Sequence, residues 1–312
     1  MRLHVHSTII SILFIFSFCF SLFAGNISKT KSIEKYTGKG QKTREEKFAY
    51  DTKGRLLSDS VFNFYMDSVV SSNFRVIEYI DSLNKRKTDF FTSGQLTRSL
   101  ETFYRIVEGK ELIDKEREYT AGGDLKKETI CSYDSLLLVS KSERFVGSAT
   151  RLQTTYEYFN NGLLKNEVML ENNNLKQSRE YIYNFGLLSK IIIRDGNDSI
   201  TGSIVNEYDL RERLVSVVFL NKLNEKMAYS QTTYNDFDSI VCIESWDRDS
   251  TKIERTERHF DDASHLLKEE TVYNPDNTIR EKTGYTYDSW GKLQRIDSFK
   301  NDAIISYIVY NY

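Results

Sequence analysis

Residues that commonly do chemistry are scarce in this chain, which has four histidines and three cysteines among 312 residues. His259 and His265 flank a turn that contains Asp261 and Asp262. Two imidazoles and one carboxylate are a familiar metal-binding set. Because the spacing places no third ligand, solvated surface histidines are the favoured interpretation. We therefore predict no metal site and no cofactor.

Two acidic turns offer oxygen ligands at alternating positions, as a calcium loop does. They are residues 247–251 (Asp-Arg-Asp-Ser-Thr) and 195–198 (Asp-Gly-Asn-Asp). The first lacks the glycine and the distal glutamate of an EF-hand, so hydrophilic turns are favoured for both. The Gly-x-Ser-x-Gly motif, a phosphate-binding glycine loop and zinc spacing are all missing from the sequence. We predict no catalytic residues, although an acidic pair for glycoside hydrolysis stays open without a location.

Residues 1–24 are typical of a secretory signal peptide. Arg2 precedes an apolar stretch, and the small residue Ala24 ends it. The stretch is interrupted by serines and is short for a membrane span, so we predict cleavage after Ala24 and no transmembrane segment in the remainder. Lipidation at Cys19 is the weaker alternative because Phe18 is large. The chain is expected to be exported, to the periplasm, the outer surface or the medium.

The overall composition limits the possible partners. With 43 basic and 45 acidic side chains, the chain has no electrostatic reason to bind nucleic acid. It has one proline and 20 tyrosines, so nearly every backbone N–H group is free to pair in a sheet.

The tyrosines mark an internal repeat of about 25 residues. From residue 133 to residue 310, an aromatic residue followed by a turn recurs at steps of 25, 25, 25, 26, 26, 27 and 23. With a looser copy near the N-terminus, the anchors are Tyr50, Tyr133, Tyr158, Tyr183, Tyr208, Tyr234, Phe260, Tyr287 and Tyr310. Further degenerate copies lie at Tyr79, Phe91 and Tyr119.

Each repeat reads as a β-hairpin. Aromatic or β-branched residues alternate before the anchor, Asn, Asp and Gly form the turn, and an apolar strand follows. We predict an all-β fold: a repetitive antiparallel β-meander of about twenty strands, twisted or rolled into a partial shell. The domains are a signal peptide at 1–24, a polar N-terminal segment at 25–45 and tandem hairpin repeats at 46–312.

Two copies of the repeat carry a family resemblance. Residues 50–56 read Tyr-Asp-Thr-Lys-Gly-Arg-Leu, and residues 285–293 read Tyr-Thr-Tyr-Asp-Ser-Trp-Gly-Lys-Leu. The phrase resembles the YD repeats of RHS-type bacterial secreted and cell-surface proteins. That resemblance implies a spiralling β-sheet that wraps into a shell, and related wall proteins have been linked to carbohydrate binding. This chain is short for a complete shell, and its repeats run to the last residue, which leaves no room for a C-terminal toxin.

The tyrosines have two interpretations: a platform for sugar stacking, or rings that pack across strands with their hydroxyls at the sheet edge. Packing is favoured. Binding then falls on aromatic residues that do not fit the repeat, Trp246 and Trp290. Our leading hypothesis is a non-enzymatic surface module that binds a glycan or a cell-surface protein. The alternatives are a structural component that pairs through an exposed terminal strand at 304–310, and a carbohydrate-active enzyme on a β-repeat scaffold.

The remaining cysteines, Cys131 and Cys242, lie about four periods apart. In a linear meander this separation is on the order of 40 Å, whereas a disulfide needs roughly 5 to 7 Å between Cα atoms. We expect two free, buried thiols unless the sheet closes on itself.

Overall fold

Antiparallel strands account for most of residues 30–146 and 150–312, the part of the chain that the computed structural model describes. The predicted signal peptide and Cys19 lie outside these residues. One helical turn, Asp81–Leu83, interrupts the strands, and no helix in the described ranges is long and apolar enough to cross a membrane. The strands are β1 (Ser32–Thr37), β2 (Lys42–Tyr50), β3 (Leu56–Tyr65), β4 (Ser68–Ile80), β5 (Lys85–Thr92), β6 (Gln95–Val107), β7 (Lys110–Thr120), β8 (Leu125–Tyr133), β9 (Val139–Val146), β10 (Thr150–Tyr158), β11 (Leu164–Glu171), β12 (Asn174–Asn184), β13 (Leu187–Asp195), β14 (Ile200–Tyr208), β15 (Leu214–Asn221), β16 (Lys226–Tyr234), β17 (Ile240–Asp247), β18 (Lys252–Phe260), β19 (Leu267–Tyr273), β20 (Ile279–Tyr287), β21 (Leu293–Lys300) and β22 (Ala303–Asn311).

Many of the longer turns follow one local rule, which the turn after β14 illustrates. The backbone N–H of Asp209 donates to the carbonyl of Arg213 (3.0 Å), and the Asp209 carboxylate accepts the N–H groups of Arg211 (2.9 Å) and Arg213 (3.0 Å). Glu212 takes a positive φ of 62°. Gly54 and Gly291 occupy the same turn position in the two close YD copies, with φ of 80° and 79°, where glycine avoids the steric cost. The Asp/Asn and Gly pattern of the repeat thus specifies the turn.

The sheet closes into a barrel. Each strand pairs antiparallel with its sequence neighbour, and β1 also pairs with β22, from Ser32 opposite Asn311 to Thr37 opposite Ser306. The meander prediction is confirmed, but the predicted partial shell is wrong. Closure pairs the edge N–H and C=O groups that an open sheet would leave exposed.

Closure involves both ends of the chain. Within the predicted N-terminal segment, β1 and the start of β2 join the first strand to the last. The terminal strand, predicted to offer an unpaired edge, pairs with β21 on one side and β1 on the other. Assembly through that edge therefore requires the barrel to open.

A β-bulge precedes the anchor in most repeats. The register shifts between Glu157 and Tyr158, between Glu207 and Tyr208, and between Thr233 and Tyr234, with equivalent shifts at Tyr50, Tyr133, Tyr183, Phe260 and Tyr287. A bulge bends its strand and increases the local twist. Its repetition at one level supplies curvature all around the barrel.

The barrel has two ends of different composition. The turns that follow the repeat anchors, from the β2–β3 turn to the β20–β21 turn, lie at one end, which we call the tyrosine end. The turns between β1 and β2, β3 and β4, and so on to β21 and β22 lie at the opposite end. Phe91 and Tyr119 precede opposite-end turns (β5–β6 and β7–β8), so they are not copies of the anchor position.

The perimeter is wide for the strand length. Twenty-two strands at about 4.8 Å spacing make a ring roughly 34 Å across, and a tilt of about 35–45° widens it to about 40 Å or more. Within the described ranges, substantial contacts between strands join only hydrogen-bonded neighbours. Ile77 and Ala228 are the buried apolar residues of this part of the chain. Stability therefore rests on the ladders and on cross-strand side-chain pairs, not on a filled core.

Both faces of the sheet carry charged pairs in mid-strand. We call the face that bears the repeat anchors the tyrosine face; it includes the exposed Arg44, whose Nη2 lies 2.7 Å from a carboxylate oxygen of Glu46. On the other face, Lys282 Nζ lies 3.0 Å from a carboxylate oxygen of Glu269. Charges at these positions suit both faces to contact with water.

Candidate functional site

Four of the anchor tyrosines tie their hairpin to the one before it. The hydroxyl of Tyr158 donates to the carbonyl of Val139 (3.0 Å), and that of Tyr234 donates to the carbonyl of Leu214 (2.9 Å). The same bond joins Tyr133 to Ile113 and Tyr208 to Leu188. In each case the acceptor lies near the start of the strand that leaves the preceding tyrosine-end turn. The rings are half-buried on the tyrosine face, and burial raises the pKa of the Tyr158 and Tyr234 hydroxyls.

An arginine after two of the tyrosine-end turns adds a second link between repeats. Arg213 Nε donates to Asp209 in its own turn (2.8 Å), while Nη1 donates to Asp238 in the next turn (2.8 Å). Its guanidinium carbon lies 4.7 Å from the ring centre of Tyr234. The hydrogen bond from Arg213 is the main cause that lowers the pKa of Asp209. Arg55 does the same with Asp51, Asp81 and the ring of Tyr79.

With these links holding the turns, large apolar side chains project from their tips. We call this set the apolar rim. Its members stand on consecutive tyrosine-end turns from β8–β9 to β16–β17 and on the β20–β21 turn: Leu136, Phe159, Phe185, Leu210, Phe237 and Trp290. Phe185 and Leu210 are fully exposed, and Trp290 is 85% exposed. The intervening β18–β19 turn contributes His265, whose ring lies 3.8 Å from that of Phe237.

The rim is built on well-formed turns. Phe185 has φ of 51° and, with Gly186 at 85°, forms the two-residue connection of β12 and β13. Both central residues of such a hairpin need positive φ. The Asp288 carboxylate accepts the backbone N–H groups of Trp290 and Lys292, both at 2.8 Å. The exposed side chains therefore stand on backbone fixed by hydrogen bonds.

The two tryptophans singled out by sequence lie apart. Trp290 belongs to the apolar rim, whereas Trp246 is the second-last residue of β17, next to an opposite-end turn. The Trp246 ring stacks on that of Tyr229, with centroids 4.6 Å apart and planes at 10°. Lys226 Nζ lies 4.2 Å from the centre of the Tyr229 ring. The two tryptophans therefore do not form one binding site.

The predicted surface histidines occupy different settings. His259 is exposed in β18, opposite Glu269, whereas His265 takes a positive φ of 57° in the turn and contacts the Phe237 ring, with the two ring planes at 36°. In residues 30–146 and 150–312, no three His, Cys, Asp or Glu side chains come close enough to hold a metal ion.

The carboxylates of the acidic turns bind backbone N–H groups. Asp247 accepts hydrogen bonds from Asp249 and Thr251, both at 2.9 Å. Asp195 accepts those of Asn197 (2.9 Å) and Ser199 (3.0 Å). In both turns the carboxylate has the same structural role as Asp209.

Both remaining cysteines are free thiols. Register places Cys131 on the tyrosine face and Cys242 on the other, and both are half-buried, not buried as expected. Burial is the main cause that raises the pKa of each thiol. The barrel closes through β1 and β22 without a disulfide between them.

A cavity of about 340 Å³ lies on the face opposite the tyrosines, across β10 to β13. Its charged lining is largely paired. Arg194 lies 3.5 Å from Glu180 and 3.9 Å from Asp198, while Lys165 donates to Glu157 at 2.8 Å. These pairs leave it less suited than the rim to attract a partner.

Comparisons with known proteins identify no family. No protein-family model and no curated protein matches the chain significantly. Among solved structures, the TcdB2-TccC3-Cdc42 complex is similar, with a TM-score of 0.39 and 11% identity over 85% of this chain. The chain spans 18% of that chain's length. A porin-like protein from Bacteroides uniformis has a TM-score of 0.35 and 10% identity over 90% of this chain and 96% of its own.

Sequence reasoning missed most of the apolar rim. Leu136, Leu210 and Phe237 each fall one or two positions after the turn Asp or Asn, where hydrophilic residues are usual. Large apolar residues at that position in successive repeats were the available signal.

Proposed function

We propose that the chain is a non-enzymatic, exported β-barrel that binds a partner protein through the apolar rim. The observation that carries this proposal is the display of large apolar side chains on successive turn tips, held in place by hydrogen-bonded turns. Exposed apolar groups of this extent are typical of interaction sites. The mid-strand charges on both faces favour an aqueous location, in the periplasm, at the outer surface or in the medium.

Photo-crosslinking in the native host tests the proposal. A photoreactive phenylalanine analogue replaces Phe185 in the full chain, and the matched control carries it at Leu223, which is 67% exposed at the opposite end. We expect covalent adducts of defined mass from position 185 and few from position 223. Equal labelling at the two positions, or none at either, would overturn the proposal.

A glycan is the second candidate, favoured by the exposed Trp290 ring. A ring face can stack on the C–H groups of a sugar while neighbouring turn polar groups accept its hydroxyl hydrogens. A glycan array with the full chain and with Trp290→Ala tests this: specific binding that the substitution abolishes supports a glycan, whereas signals that it leaves unchanged argue against one.

The same preparations should be screened for hydrolysis of glycans and esters. We expect no turnover above buffer. Activity that copurifies with the chain and disappears with a single carboxylate substitution would replace a binding module with an enzyme.

A further inference from the structure

We infer that the partner of the apolar rim is a second copy of this chain, bound head to head so that the tyrosine ends of two barrels meet. This inference rests on the proposed function and names the partner of the same surface. Three arguments support it: the exposed area of the rim, the spacing of its tips and the closed symmetry of a contact between two rims.

The area matches that of a stable dimer. The six rim side chains expose the equivalent of between four and five fully exposed large side chains. At roughly 200 Å² each, this is about 900 Å² of apolar surface. A stable protein interface buries about 800 Å² on each partner.

The spacing favours a partner with the same architecture. Each turn tip serves two strands, so neighbouring tips stand about 10 Å apart along the rim. A surface that meets several tips at once must offer recesses at the same interval. The rim of a second copy meets this requirement. Its tips stand about 10 Å apart, so the gaps between them can receive the tips of the first copy.

The charged part of the tyrosine end limits where the contact falls. The β2–β3 turn carries Lys53, which pairs with Asp81 across the β4–β5 turn at 3.2 Å, and Arg55 joins the same cluster. Burying these charges would cost desolvation energy. The arc from β8 to β21 holds a similar pair, Arg213 with Asp238. The contact is therefore expected to fall on the apolar tips and to leave both charge clusters in water.

Two-fold symmetry makes the assembly finite. A two-fold axis perpendicular to the barrel brings the same surface of both copies together, and such an isologous contact is complete with two chains. The opposite end also exposes apolar side chains, among them Tyr65, Met66 and Leu223, but the contact between two rims leaves no free rim for a third copy.

Analytical ultracentrifugation of the purified full chain tests this directly. We expect a monomer–dimer equilibrium at micromolar concentration for the wild type. The double variant Phe185→Ser/Leu210→Ser should weaken dimerisation at least tenfold. Both side chains are fully exposed in the monomer, so circular dichroism and thermal midpoint should not change. The matched control, Met66→Ser/Leu223→Ser at the opposite end, should dimerise like the wild type.

Each outcome decides between the two proposals. A single monomeric mass up to hundreds of micromolar, or a dimer that the control pair disrupts and the rim pair does not, overturns the head-to-head dimer. If the chain is monomeric but position 185 crosslinks to a protein of another mass in the host, the binding rim stands and the identity of its partner is wrong. If position 185 gives no adduct and the chain is monomeric, both proposals fail.

Discussion

The two ends of the barrel use the same turn chemistry for different purposes. At both ends an Asp or Asn carboxylate or amide oxygen accepts two backbone N–H groups, as Asp209 does at the tyrosine end and Asp247 at the opposite end. At the tyrosine end, four anchor tyrosines beneath the turns also donate to backbone carbonyls of the preceding hairpin. Among the described turns, large apolar side chains occupy most tips at the tyrosine end but few at the opposite end, where Met66 and Leu223 are exposed.

At the tyrosine end, the residues that stabilise the turns are different from the residues that are exposed at the turn tips. The hydroxyl and arginine links stabilise tyrosine-end turns through their neighbours, so the tips are free to carry residues that do not themselves favour turns. At the opposite end the tip residues must specify the turn locally, which explains their Asn, Asp and Ser content. The single proline, Pro275, lies in one of these opposite-end turns.

The largest test of the comparison removes one anchor ring. Tyr234→Ala deletes a half-buried ring and its bond to Leu214, and we expect it to lower the free energy of unfolding by about 2–3 kcal/mol. Tyr229→Ala near the opposite end deletes a ring that is also half-buried and stacks on Trp246, so we expect it to cost about 1 kcal/mol less, the worth of the anchor hydroxyl bond. Urea unfolding measures both, and equal losses would remove the distinction between the ends.

Removing one anchor hydroxyl sharpens the same point. Tyr158→Phe leaves the carbonyl of Val139 without that donor and should cost about 1 kcal/mol. Tyr229→Phe keeps its stacked ring and should change stability by less than about 0.5 kcal/mol. If the two substitutions cost the same, the hydroxyl ladder does not stabilise the tyrosine end.

Alkaline pH should weaken the tyrosine end selectively. Burial raises the pKa of Tyr285, two residues before an anchor, to about 12. The unfolded chain ionises this group near pH 10, so its ionisation favours unfolding as pH rises from about 10 to about 12. Tyr285→Phe should remove about 1 kcal/mol of that decline, after allowance for partial exposure, and leave stability at pH 8 nearly unchanged. Urea unfolding at a series of pH values measures the decline, and an equal decline in the wild type and in Tyr285→Phe would contradict this prediction.

The smallest expected effect concerns the turn carboxylates. The pKa of Asp209 is lowered chiefly by its hydrogen bond from Arg213. Its contribution is therefore present above the ordinary aspartate range, near pH 4, and is lost as pH falls through the folded value. Asp209→Asn should lower the thermal midpoint at pH 7 more than Asp247→Asn does, and the gap should narrow as pH falls below the ordinary aspartate range. If the two variants still differ in thermal midpoint at acid pH, the difference comes from packing and not from the charge of Asp209.

Local features of this fold were predictable from sequence, and long-range ones were not. The alternation before Tyr158 or Tyr208 and the Asp-x-x-Gly turns specify a hairpin within about ten residues. Closure depends on the register summed over all strands and on β1, a six-residue strand without the repeat phrase. Phe91 and Tyr119 were misassigned because turns at the two ends share Gly and polar residues.

The sequence did not show which of the two tryptophans lies on the apolar rim. Trp290 and Trp246 were chosen because neither fits the anchor position, yet only Trp290 stands on the rim. The end at which a residue lies follows from the number of strands that precede it. Trp246 is near the end of β17, so the length of that strand separates it from the β16–β17 turn at the tyrosine end. The rim becomes visible only when alternate turns are known to lie at the same end.

The pairing of β1 with β22 has a consequence for how this chain can change over generations. A linear array of repeats can lengthen or shorten and keep the same cross-section, but a ring cannot. Duplicating one 25-residue unit inserts two strands, which lengthens the perimeter by about 10 Å and widens the bore by roughly 3 Å. The number of repeats therefore sets the diameter of the barrel, which can change only in whole hairpins.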